Sequence, residues 1–263
     1  MDDTGRPAPI CILVPLAAAL LVAACGRAPE DPLAGLAEGE RGRVVRVIDG
    51  DALVLSTGQN VRLIGIEAPA GPDRDREGDH GFEESKRALE EMALGREVEL
   101  RYGGLTRDHY ERALAHVVTT DTLAPPLWLN AEMIRRGAAR VRVYPDTAAA
   151  NDLLLPMERE AREAKTGLWK DPAWRVTDAA GLPDSFQGFQ MVEAVTAGMQ
   201  GSDIRGVSCE VMLDRSLLVL EIETGAAELC RLDPETRIRA RGHVRNLRME
   251  INHSLNLEIL ENP

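Results

Sequence analysis

Two aspartates flank a glycine at Asp49-Gly50-Asp51, and an arginine and a glutamate, Arg62 and Glu67, follow a short way downstream. Carboxylates gathered without His or Cys suit a hard, oxygen-seeking cation such as Ca²⁺. An arginine beside them suits a phosphate, because its fork of donors matches phosphate oxygens. These residue types together point to metal-assisted chemistry at a phosphate.

The elements that must position them are legible on either side. Val44, Val45, Val47 and Ile48 lead into the Asp49–Asp51 turn, and Leu53, Val54 and Leu55 lead out toward a second turn at Ser56–Asn60. Val61, Leu63, Ile64 and Ile66 form a third strand-like run that stops at Pro69. Packed side by side, such strands place Asp49, Asp51 and Glu67 on one rim of a barrel with Arg62 nearby. Glu97–Tyr102 and Ala113–Thr119 read as two further strands, and the polar loop Gly103–Glu111 between them presents Arg107 and delivers Arg112. Phe82–Leu94 reads as an amphipathic helix. Leu127–Arg136 is a second helix, ended by Gly137. Leu153–Lys165 is a third, with Pro156 in its first turn and Gly167 closing it.

The same residues carry a family resemblance. The run VVRVIDGDALVLSTGQNVRLIGIEAP, Val44–Pro69, resembles the signature of the staphylococcal-nuclease (thermonuclease-like) family, a strand, D-G-D-T, a strand and R-L-x-x-[IV]-D-x-P-E. Arg107–Ala115, RDHYERALA, is similar to D-x-Y-G-R-x-L-A, and Leu127–Ala139, LWLNAEMIRRGAA, is similar to V-N-x-x-L-V-x-x-G-x-A. Thr166-Gly167-Leu168-Trp169 matches the G-[IL]-W ending, so the motifs run in family order over about residues 41–169. The resemblance implies a β-rich α+β fold, an OB-type five-stranded barrel with three helices, and Ca²⁺-assisted hydrolysis of DNA or RNA phosphodiesters. Carried over by position, Asp51, Glu67 and the backbone carbonyl of Ala68 correspond to ligands of one Ca²⁺ ion, and Asp49 shapes the acidic pocket. Arg62 and Arg112 correspond to phosphate clamps. Tyr110 resembles a structural tyrosine beside the second clamp. Tyr144 falls where the family places nucleotide-stacking tyrosines, with simple packing or exposure as the alternative.

Three positions depart from the pattern. Ala52 lacks the hydroxyl of D-G-D-T, Glu67 is one methylene longer than the usual aspartate, and Ala70 stands where the resemblance implies a water-activating glutamate. Loss of a positioned general base costs about 10²–10⁴-fold in rate. The following loop holds Asp73, Asp75, Glu77, Asp79, Glu83 and Glu84, of which Glu77 and Asp79 are candidate replacement bases; a solvated acidic loop is the bland alternative. Two functions stand: a Ca²⁺-dependent phosphodiesterase, or a degenerate relative that binds nucleic acid, another phosphate ligand or an envelope partner without cleaving it.

The 263-residue chain has a net charge of −12, which argues against tight binding to long DNA through phosphate contacts alone. Residues 10–24, ICILVPLAAALLVAA, are too short for a comfortable membrane span and end in Val22-Ala23-Ala24-Cys25-Gly26, a lipoprotein-like processing box. A signal peptide over 1–24, lipidation of Cys25 and a tether over 25–40 are expected, with an ordinary cleaved signal peptide as the alternative. The protein would then sit in the bacterial cell envelope, lipid-anchored to the membrane and facing the periplasm or exterior. Export leaves Cys209 and Cys230 to form one disulfide or to remain a pair of buried thiols. His80, His109 and His116 form no ligand motif.

The nuclease-like region is expected over 41–170, a linker over 171–184 and a small, mostly-β, OB-like module over 185–263. The best strand candidates in that module are Cys209–Leu213, Leu217–Glu223, Thr236–Val244 and Met249–Leu260. By alternation Arg237, Arg239 and Arg241 share a face, with Arg245 and Arg248 close by. That stripe either meets an anionic surface or is solvated and paired with nearby carboxylates.

Overall fold

The structure is a computed structural model that describes Met1 and residues 31–72, 74, 77–121 and 125–261. Cys25, the expected signal peptide and the loop residues Asp73 and Asp75 lie outside the described residues. Gly35–Pro263 form one compact unit, to which every described helix and strand belongs.

Its elements, in order, are β1 (Ala37–Asp49), β2 (Ala52–Leu55), β3 (Asn60–Leu63), β4 (Ile66–Glu67), α1 (Phe82–Ala93), β5 (Glu97–Tyr102), β6 (Ala113–Thr119), α2 (Leu129–Arg135), β7 (Arg140–Val141) and α3 (Leu154–Glu163). Then come β8 (Thr177–Asp178), β9 (Gly188–Gly201), β10 (Val207–Leu213), β11 (Val219–Glu223), β12 (Arg237–Arg245), β13 (Arg248–Ile251) and β14 (Leu257–Ile259). The first barrel closes in the order β1-β2-β3-β6-β5. Its long first strand does double duty. Ala37–Arg43 pairs with β5 and Val44–Asp49 with β2, with register shifts where the strand bends. Leu53, Leu55, Val61, Leu63, Val98, Leu100 and Val117 fill it, and Leu89 and Met92 of α1 and Met133 and Ile134 of α2 are buried as well.

The second barrel repeats that plan. β9 pairs with β12 through Gly188–Val195 and with β10 through Thr196–Gly201, and β10-β11-β13-β12 complete the ring. In both barrels the third and fifth strands are parallel and every other closing pair is antiparallel. Both therefore have the five-stranded, Greek-key order of OB folds. Val211, Leu220, Ile222, Ile238, Met249 and Ile251 form the second core. Cys209, buried in that core, is joined to Cys230 as a disulfide.

Several expectations need correction. The barrel strand begins at Ala37, so Ala37–Glu40 of the expected tether belong to β1. Thr177–Asp178 of the expected linker pairs in parallel with β9, and short 3₁₀ turns at Pro172–Trp174 and Ala179–Gly181 flank it. Met249–Leu260 is not one strand: a 3₁₀ turn at Ser254–Asn256 separates β13 from β14, and each pairs with a different part of β12. β9, the longest strand, had no sequence counterpart.

Candidate active site

The acidic turn is built by local chemistry. The Asp51 N–H donates to Asp49 Oδ1 at 3.0 Å, closing the turn across Gly50. A Cβ on Gly50 would lie 1.8 Å from Ser85 Oγ on α1, so any larger residue there forces a shift. Asp51 is only 1% exposed. Its Oδ2 accepts from the Ala68 N–H at 2.8 Å and its Oδ1 meets Arg62 Nη1 at 2.9 Å. The other arm of Arg62, Nη2, reaches Glu67 Oε2 at 3.2 Å. β2, β3 and β4 thus bring Asp51, Arg62 and Glu67 into one hydrogen-bonded group beside Ala68 and Asp49.

Burial dominates the electrostatics of this group. Burial, joined by the charges of Asp49 and Glu67, pushes the Asp51 carboxyl well above the usual range despite Arg62. Burial alone would draw Arg62 down, yet Asp51, Glu67 and Asp49 hold its guanidinium above its ordinary value. Among the described residues no three His, Cys, Asp or Glu side chains form a ready metal cage. Asp51 and Glu67 offer two carboxylates, so a cation here takes its remaining oxygens from backbone such as the Ala68 carbonyl and from water. An all-oxygen, acid-rich donor set fits a hard divalent ion.

Beside this group lies a cleft of about 550 Å³ lined by Arg62, Glu67, Arg107, His109, Arg112 and Tyr144, among others. Arg112 Nε is held by Asp108 Oδ2 at 2.7 Å, and Asp108 also accepts from the N–H groups of Tyr110 and Arg112. Burial tends to raise the Asp108 carboxyl, but these hydrogen bonds bring it below its ordinary value. Glu111, inside this loop, is left-handed at φ 60°. Tyr110 is not a packed structural residue. It is exposed, with the Arg112 guanidinium 5.6 Å from its ring centroid. Tyr144 is 40% exposed on the cleft wall, with the Arg142 guanidinium 4.6 Å from its ring centroid.

The two candidate bases part company. Asp79 Oδ2 accepts from the Ala70 N–H at 3.0 Å and the Asp79 N–H returns a bond to the Ala70 carbonyl at 2.8 Å. Glu77 is exposed. His109 lines the cleft, while His116 is buried, its Nδ1 facing the Trp128 indole N–H at 3.2 Å and its Nε2 facing the Ala149 carbonyl at 2.9 Å.

Sequence reasoning missed two partners of Glu67. Arg142 Nε lies 3.8 Å from Glu67 Oε2, and His243 Nε2, from the second barrel, lies 3.4 Å from Glu67 Oε1. The one available signal was the alternation that put His243 on the same face of β12 as Arg241. The arginine stripe is paired with carboxylates over most of its length. Arg239 is held by Glu193 and Glu258, and Arg241 is 1% exposed between Glu158 and Glu258. Arg248 is taken by Glu210 and Glu221.

A five-stranded barrel whose rim carries this acid–arginine group defines a nuclease-type domain. The family profile described as staphylococcal nuclease homologue matches residues 60–171. An "Uncharacterized endonuclease" of Escherichia coli is 34% identical over 141 residues, covering 51% of this chain and 82% of that protein. "Protein ParB" of Escherichia coli is 37% identical over 139 residues, covering 50% and 73%. The "Thermonuclease" of Staphylococcus intermedius is 27% identical over 135 residues, covering 50% and 77%. The chain belongs to the staphylococcal nuclease homologue family.

Proposed function

We propose that this protein is a membrane-tethered phosphodiesterase that hydrolyses short or single-stranded DNA or RNA with one Ca²⁺ ion, outside the cytoplasm. The single observation carrying the reading is that Arg62, Glu67 and Arg112 line one cleft, with buried Asp51 bonded behind Arg62. Tethering and location rest on the sequence around Cys25.

Asp51, Glu67 and the Ala68 carbonyl would hold the ion, which supplies Lewis-acid activation of the phosphate when bound. Arg62 and Arg112, both on the wall of the cleft, bind the phosphoryl oxygens and stabilise the charge that grows on them. Tyr144 offers a ring on which a base stacks. Asp79, tied to the Ala70 backbone, is the chain's own acceptor for the proton of the attacking water, standing in for the side chain that Ala70 lacks.

A second reading, binding without turnover, is favoured by Ala70 itself. Cleavage of short single-stranded DNA and RNA by the full chain, in Ca²⁺, Mg²⁺ or chelator and beside an Arg62→Ala/Arg112→Ala variant, separates the two. Ca²⁺-dependent cleavage that disappears in the variant is the expected result. Wild-type turnover no higher than the variant's, with the ion bound, leaves a binding protein.

A further inference from the structure

The second barrel grips the strand behind Glu67. β4 pairs with β7, Glu67 opposite Arg140 and Ile66 opposite Val141. The Arg140 guanidinium donates to the Phe189 carbonyl at 3.4 Å and lies 4.3 Å from the Trp174 ring centroid. The Val141 N–H donates to Glu158 Oε1 at 2.7 Å, and Glu158 Oε2 takes Arg241 Nη1 at 2.5 Å. Two residues on, Val143 exchanges both backbone hydrogen bonds with the Asn256 side chain, at 3.3 and 3.0 Å.

One side chain of the second barrel reaches the site itself. His243 projects from β12, its ring set edge-on to Phe189 at 5.7 Å between centroids, and its Nε2 lies 3.4 Å from Glu67 Oε1. The other oxygen, Oε2, faces Arg62 at 3.2 Å and Arg142 at 3.8 Å. Each oxygen of the Glu67 carboxylate therefore has its own partner, and one of the two comes from the second barrel.

Glu67 is the residue that needs such a partner. It is longer than the aspartate of the family signature, so it has one more torsion to fix and more side-chain entropy to lose. A hydrogen bond to the far oxygen orients a ligating carboxylate that would otherwise sweep. Resting on the nuclease reading for the reaction, we propose that His243 is a positioning residue of the site, holding Glu67 through a hydrogen bond, so that the second barrel is part of the active site.

The test is calorimetric Ca²⁺ binding and oligonucleotide cleavage by the full chain, wild type and His243→Ala, His243→Gln, Glu67→Asp and Glu67→Asp/His243→Ala. His243 has a side chain 44% exposed, so truncation leaves the fold in place. His243→Ala weakens Ca²⁺ binding about tenfold, the scale set by partners that orient a ligand. His243→Gln, which keeps an N–H at the same reach, restores most of it. In the Glu67→Asp background the shortened carboxylate withdraws from His243, so adding His243→Ala changes affinity by less than about twofold, the non-additivity of a coupled pair. Wild-type affinity in His243→Ala, equal losses in His243→Ala and His243→Gln, additive losses in the double variant, or no Ca²⁺ binding by the wild type each overturn the proposal. The expected affinity pattern without any wild-type cleavage sinks the nuclease reading and leaves the positioning role standing.

Discussion

Replacing Arg241 with methionine tests whether the two barrels are locked together by charge. Arg241 and Glu158 have side chains only 1% exposed each, and they meet at 2.5 Å. The second arm of Arg241 holds Glu258. Removing the guanidinium leaves Glu158 buried, with Arg162 at 3.9 Å as its nearest remaining cation. Breaking one side of a buried pair costs about 3–5 kcal/mol, most of it the penalty on the abandoned charge. A unit of this size shifts by about 2–4 °C per kcal/mol, so the melting temperature falls by about 6–20 °C. Scanning calorimetry of the full chain at neutral pH measures it. Arg241→Met/Glu158→Gln is the informative control, because the glutamine still accepts from the Val141 N–H but abandons no charge. It recovers most of the loss. A drop under about 2 °C in the single variant, or a double variant less stable than the single, refutes the reasoning.

Other consequences are as direct. Asp79→Asn keeps an acceptor for the Ala70 N–H but no proton acceptor, so kcat falls about 10²-fold or more with KM retained; an unchanged kcat in steady-state cleavage removes Asp79 from the chemistry. Burial lowers His116 from its ordinary 6.5 to about 4, so only the unfolded state takes up its proton between those values. Stability attributable to His116 is complete above pH 6.5 and lost by about 3 kcal/mol as pH falls through 4, visible as a slope in unfolding free energy that His116→Gln lacks. Gly50→Ala drives a Cβ into Ser85 Oγ and costs about 1–3 kcal/mol by chemical denaturation, with Ca²⁺ affinity falling alongside. Glu111→Gly relieves a left-handed residue and raises stability by about 1 kcal/mol in the same assay.

What the sequence made legible was what depends on near neighbours. β5 and β6 fall at the expected residues because Val98 and Leu100 alternate with charged residues in β5 and β6 is almost wholly apolar, and α1 to α3 lie within a few residues of theirs. The acidic turn was readable because Asp49, Gly50 and Asp51 close it among themselves. β9 was not readable, since Gly188, Gly198 and Gly201 and the polar residues between them dilute its alternation. Glu158 was not singled out, since its burial is decided by an arginine 83 residues away. His243 belonged to no motif, and only the docking of β12 gives it a partner. Alternation identified the face shared by Arg239 and Arg241, but not what that face would meet.

The contacts between the barrels also order the assembly of the site as the chain emerges. Chain emerges from the N-terminus, and most of the first barrel's strands and α1 pair within the first half of the sequence, so Asp51, Arg62 and Glu67 can assemble early. Their last partner comes much later, because His243 lies 176 residues beyond Glu67 and Asn256 lies 113 beyond Val143. Contacts of such long span form only after the loops between them have closed. A nascent or clipped chain ending before β12 therefore carries the acidic site without its clamp. Arrival of the last barrel is built into the geometry of the finished site.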